Sequence, residues 1–168
     1  MCGPWRYFRA LLGLTVLLSA TPHIALGQAL VTVAAGPAQY DLSGTGWSGS
    51  AEVHVEFRLK SWLGLEAGSG VFWYRTQADR DVAMLLPEVG LRAHSDGPIP
   101  VYVAAGVGHT LELKNRRHDE STIFSAVGLS INLRQAWRLR PELRIRLTDF
   151  GTGGIGTYTL GFSRQLGP

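Results

Sequence analysis

From residue 28 onward, apolar and polar residues alternate with a period of two. Ala51, Val53, Val55, Phe57 and Leu59 fall on one face, and Glu52, His54, Glu56 and Arg58 on the other. Val101, Val103, Ala105, Val107, Leu111 and Leu113 likewise oppose Tyr102, Ala104, Gly106, Gly108, Thr110 and Glu112. Trp137, Leu139, Leu143, Ile145 and Leu147 oppose Arg138, Arg140, Glu142, Arg144 and Arg146. Successive side chains of a strand point to opposite faces, so this is strand periodicity. No stretch beyond residue 28 sustains a helical period. The pattern predicts eight strands, over 29–42, 50–60, 62–74, 82–94, 99–113, 121–134, 137–148 and 155–166. Longer connections (43–49, 75–81, 114–120, 149–154) alternate with tight ones (61, 95–98, 135–136), which sorts them onto two rims. Pro87 and Pro141 fall inside strands and cannot donate to a ladder, so bulges or locally missing bonds are expected there.

Alternation alone leaves open which face points outward. A soluble carrier of the lipocalin kind would put the apolar face inside, whereas a membrane barrel turns it to lipid. The polar face favours the membrane. It carries Gly64, Gly68, Gly70, Gly90, Gly106, Gly108 and Gly128, which weaken a water-facing strand but leave space in a narrow lumen. It also carries Glu52, Glu56, Glu66, Glu88, Glu112 and Glu142 together with Arg58, Arg92, Arg138, Arg140, Arg144 and Arg146. Buried charges persist only when paired, and this inventory permits pairing. An arginine facing lipid at the midplane costs about 2–4 kcal/mol, so the arginines of the seventh segment must turn inward. Trp62 and Trp137 lie near the short-turn rim, and Tyr40, Trp73, Tyr74 and Tyr158 near the long-loop rim, as in two interfacial girdles.

The N-terminus has the three-part layout of a secretory signal. Arg6 and Arg9 lead into the apolar run 10–18, and the small residues Ala25 and Gly27 follow. Pro22 and His23 stop the run short of the roughly 20 residues a transmembrane helix needs, which favours a cleaved signal over an anchor. The expected organisation is a signal peptide over 1–27 and one barrel domain over 28–168. Composition agrees with a single folded domain, since 168 residues are 45% hydrophobic and 17% charged. The net charge of +3 falls to +1 without Arg6 and Arg9, because no acid precedes residue 28. The basic excess is scattered, without the stripe of a nucleic-acid binder. Cys2 leaves with the signal, so neither a disulfide framework nor a cysteine metal site is expected.

In signal, strand count and alternation, the chain resembles the small eight-stranded outer-membrane barrels of the OmpX and OmpA transmembrane-domain type. The resemblance implies an all-β, antiparallel, up-and-down transmembrane barrel with a side-chain-filled polar lumen. It further implies a place in the outer membrane of a Gram-negative-type bacterium, contact with its lipid and lipopolysaccharide, and delivery by the outer-membrane insertion machinery. A monomer with a role in envelope integrity or surface contact is the expectation. Members of that family usually end in an aromatic residue read by such machinery; here Tyr158, Leu160 and Phe162 supply the alternating apolar stripe, while the sequence closes on Leu166, Gly167 and Pro168.

With eight strands, the seventh lies opposite the third. Its arginines should therefore reach Glu66 and Glu88, with Glu52 and Glu56 closing a salt-bridged plug and leaving no wide channel. Some barrels of this size modify lipid A, and that alternative needs a base, a nucleophile and an orienting group at the outer rim. His94, Ser95 and Asp96 are consecutive and cannot converge, and they lie at the short-turn rim. His54 sits on the inward face between Glu52 and Glu56, and His109 and Thr110 point to opposite faces. No catalytic residue is assigned. No clustered ligand spacing suggests a metal, and the glycines at 151, 153, 154 and 156 lack the lysine and helix of a phosphate loop, so no cofactor is expected. Lys114, Arg116 and Arg117 form a basic cluster in a long loop, a candidate contact for lipopolysaccharide phosphates or simply a solvated loop.

Overall fold

The computed structural model describes residues 29–40, 47–75, 81–113, 119–134, 136–148 and 153–166; the leader over 1–27 and the basic cluster Lys114, Arg116 and Arg117 lie outside them. The described residues form β1 (Ala29–Tyr40), β2 (Trp47–Lys60), β3 (Leu63–Arg75), β4 (Asp81–His94), β5 (Val101–Glu112), β6 (Glu120–Leu129), β7 (Ile131–Arg134), β8 (Trp137–Thr148) and β9 (Gly153–Leu166). Each pairs antiparallel with its neighbour, and β9 returns to β1, which closes the sheet on itself. β6 and β7 are two pieces of one strand, because both pair with β8 in one register, through Gly128↔Glu142 and Ile131↔Leu139. Eight strands therefore circle the barrel, one of them interrupted.

The interruption has a cause on the facing strand. Ser130 donates its N–H to the Pro100 carbonyl at 2.9 Å, away from β8. Bonding directions alternate along a strand, so it is Leu129 whose backbone faces β8. The register sets Leu129 opposite Pro141, which has no N–H to give. Pro87 leaves a similar gap: β4 and β5 pair at Leu85↔Leu111 and again at Glu88↔Gly108 with the register unchanged. Missing pairing occurs at both prolines, without a bulge. Pro37 adds a third gap, between Ala35↔Leu160 and Ala38↔Thr157.

The outer wall is apolar and the axis is charged. Val53 is 48% exposed and Phe162 51%, whereas Glu52 and Glu56 are 2% and 1% exposed. Leu129, Val103, Val107 and Leu160 also point outward. A soluble carrier with an apolar lumen needs the opposite parity, and that arrangement is overturned. An exposed apolar band of this extent is stable where hydrocarbon covers it.

The lumen is filled in two layers. At the long-loop end it holds an apolar plug of Ala38, Phe72, Met84, Leu86 and Ile155, flanked by Tyr40, Tyr74 and Val82. The rings of Tyr40 and Tyr74 stack with centroids 4.5 Å apart, and Phe72 lies 5.4 Å from Tyr74. Tyr40 and Tyr74 therefore belong to the interior and not to an outer girdle, a correction to the strand-end reading. Strand parity decides this, because both share the inward face with Phe72 and Ala38. Trp62, Trp73, Trp137 and Tyr158 remain on the outside. From the middle of the barrel to the short-turn end the contents are mainly polar, with a small apolar cluster of Ala104, Phe124 and Ala126 against the wall.

Candidate functional site

The polar layer is a continuous ion network. Arg144 donates Nη2 to Glu66 and Nη1 to Glu88, both at 2.6 Å, and Nε to Glu142 at 2.8 Å. Arg146 pairs with Glu88 at 2.6 Å and Glu52 at 3.2 Å, and donates to Thr157 at 3.0 Å. Arg92 pairs with Glu66 and, at 3.1 Å, with Glu142. Arg140 lies 3.5 Å from Glu56 and donates to Thr32 at 3.1 Å. Arg58 meets Glu56 at 2.9 Å nearer the mouth. Arg58, Arg92, Arg140, Arg144 and Arg146 thus balance Glu52, Glu56, Glu66, Glu88 and Glu142 one for one. Each ion in such a setting carries a desolvation penalty of several kcal/mol, which the attraction of its matched partners offsets.

Two histidines and a tyrosine complete the packing. His54 meets Glu52 at 3.0 Å, and His94 meets Glu56 at 2.6 Å. Tyr102 donates its hydroxyl to Glu142 at 2.8 Å. The guanidinium groups of Arg92 and Arg140 lie 4.2 and 4.4 Å from the centre of its ring. That contact supplies favourable surroundings to cations whose remaining N–H groups, Nε and Nη1 of Arg92 and Nε and Nη2 of Arg140, have no hydrogen-bond partner among the described residues. Small residues make the room. A Cβ on Gly64 would stand 2.7 Å from Glu56 Oε1, and one on Gly128 would overlap the Tyr102 hydroxyl.

Strand counting pairs the arginines of β8 with Glu66, Glu88, Glu52 and Glu56, and the structure brings those side chains together. Arg138 stands apart, half-buried and without an ion pair among the described residues. With Arg58, Lys60, Leu30, Ser61 and Gln165 it lines a cavity of about 510 Å³ at the short-turn mouth. Ser95 is engaged in the β4–β5 turn, its Oγ accepting from the Val101 N–H at 2.9 Å, and Gly97 bends there with φ +147°. Among the described residues no group of three or more His, Asp or Glu could hold a metal. Sequence reasoning missed Arg134 and Arg164, exposed at the short-turn rim; only the ladder register shows that they flank Trp137.

No family model and no curated protein matches the chain. Solved structures do. The Neisserial surface protein A structure is similar with a TM-score of 0.69 at 12% identity, covering 82% of this chain and 97% of that one. Ail, the attachment invasion locus protein of Yersinia pestis, gives 0.59 at 11% identity over 82% and 97%. The N-terminal barrel domain of OprF from Pseudomonas aeruginosa gives 0.58 at 16% identity over 82% and 98%. Identities this low speak to architecture only. Together with the outward apolar wall, they show that the chain has the fold of the small eight-stranded transmembrane barrels of outer membranes.

Proposed function

We propose that the protein is a non-conducting integral barrel of the outer membrane, serving envelope integrity or surface contact. The observation that carries this reading is Arg144, whose three donors hold carboxylates from β3, β4 and its own strand across the lumen. A guanidinium so held, with the apolar plug of Phe72, Met84 and Leu86 beyond it, obstructs the axis twice. The outward band supports residence in a bilayer, and the similar solved barrels support an outer membrane. The reading contains no catalytic step: His54 and His94 are engaged by carboxylates, and Ser95 by its own turn. Contact of Lys114, Arg116 and Arg117 with lipopolysaccharide or another anionic surface belongs to the same proposal.

Conductance tests it. Purified barrel in a planar bilayer should give no steps of the size of a wide porin, and such steps would refute the plug. Deletion in the native host should raise sensitivity to detergents while leaving the lipid A profile unchanged. An altered lipid A profile would favour a lipid-modifying enzyme instead.

A further inference from the structure

We infer that the outer wall at the short-turn rim carries a binding site for the phosphate of an anionic glycerophospholipid, formed by Arg134, Trp137 and Arg164. The inference rests on the membrane reading above. In the ladder Arg134 lies directly opposite Trp137 on β8, and Trp137 directly opposite Arg164 on β9. Directly opposed residues share a face, with Cβ atoms about 4.5–5.5 Å apart. Trp137 points outward, 45% exposed, so both arginines stand on the lipid side of the wall. Arg134 owes this to a register shift between Asn132 and Arg134. Without the shift it would share the parity of Asn132, which pairs with the lumen-side Arg138; a bulge re-aims such a side chain.

The surroundings define the ligand. The next outward row on the same strands is Ile131, Leu139 and Phe162, so the two cations stand at the margin of the apolar band, with Leu133 and Leu166 exposed beside them. Arg164 lies 5.5 Å from the Trp137 ring centre, which holds its guanidinium beside the indole at headgroup depth. Neither arginine makes an ion pair among the described residues. Guanidinium groups match phosphate geometry with paired donors, and two of them flanking an interfacial indole form a two-armed clamp. Short turns of outer-membrane barrels face the periplasm, where the leaflet is built of glycerophospholipids. A zwitterionic headgroup brings its own cation to the clamp, so an anionic one such as phosphatidylglycerol is preferred.

The test uses the full chain carrying W5F, W47F, W62F and W73F, which leaves Trp137 as its one tryptophan. It is reconstituted into phosphatidylcholine vesicles containing brominated phosphatidylglycerol or brominated phosphatidylcholine. Quenching of Trp137 should report a relative association constant about three- to fivefold in favour of phosphatidylglycerol, falling towards one in high salt. R134Q/R164Q should abolish the preference, while R138Q, at the lumen mouth, should keep it. Equal quenching by the two lipids in the parent chain overturns the site, as does a preference surviving R134Q/R164Q. Absence of quenching by either lipid would instead refute membrane insertion itself. Native mass spectrometry of the unsubstituted barrel from mixed-lipid micelles gives an independent reading if the tryptophan-reduced chain does not fold. Retained phosphatidylglycerol in excess of phosphatidylcholine supports the site, and no excess overturns it.

Discussion

Nη2 of Arg144 meets Oε1 of Glu66 at 2.6 Å, joining β8 to β3 across the full width of the lumen. Three strands lie between the two in either direction round the barrel, so this single contact ties opposite walls together. The same guanidinium also holds Glu88 and Glu142. Removing it leaves Glu66, Glu88 and Glu142 to share only Arg92 and Arg146 in a low-dielectric interior, and breaking a buried ion pair typically costs about 3–5 kcal/mol. Arg144→Met should therefore lower the unfolding free energy by about that amount in urea titrations of the bilayer-inserted barrel. Arg138→Gln, which removes a half-buried arginine with no ion pair, should change it by less than about 0.5 kcal/mol.

Gly128 and Tyr102 form a second coupled pair. Any side chain at 128 displaces a phenol that donates to Glu142 and packs against Arg92 and Arg140. Gly128→Ala should destabilise by about 1–3 kcal/mol as an overpacked contact. Tyr102→Phe alone should cost about 1–3 kcal/mol, because a charged acceptor loses its donor. The double variant should cost less than the sum of the two, since a ring already displaced by Gly128→Ala no longer has its hydroxyl bond to Glu142 to lose. Equilibrium unfolding of the four chains measures the difference.

At Pro141 the sequence writes a gap into the sheet. Pro141→Val restores an N–H opposite Leu129 and should join β6 to β7 in one ladder. The expected result is slower hydrogen exchange of the Leu129 and Ile131 amides and a gain of about 0.5–1.5 kcal/mol. Unchanged exchange there would assign the break to some cause other than the missing donor.

Much of this was legible because a barrel reduces to parity and counting. Period two separates Val53 from Glu52, and ring arithmetic sets β8 against β3. The apolar plug was not legible, and the reason is local. Residues 82–86 read Val-Ala-Met-Leu-Leu, apolar on both faces, so no alternation distinguishes lumen from lipid. Tyr40 and Tyr74 look the same at a strand end whether they point in or out. Arg134 escaped because a one-residue register shift leaves no mark on composition, yet it moves a cation from the lumen side to the lipid side.

The central claim is that odd-numbered residues of β2 face hydrocarbon and even-numbered ones the axis. Single cysteines placed in turn at 50–58, spin-labelled in bilayers, report this through collision with oxygen. Accessibility should oscillate with a period of two, with maxima at Ala51, Val53, Val55 and Phe57 and minima at Glu52, His54 and Glu56. Maxima at the even positions, or a flat profile across the strand, would contradict it.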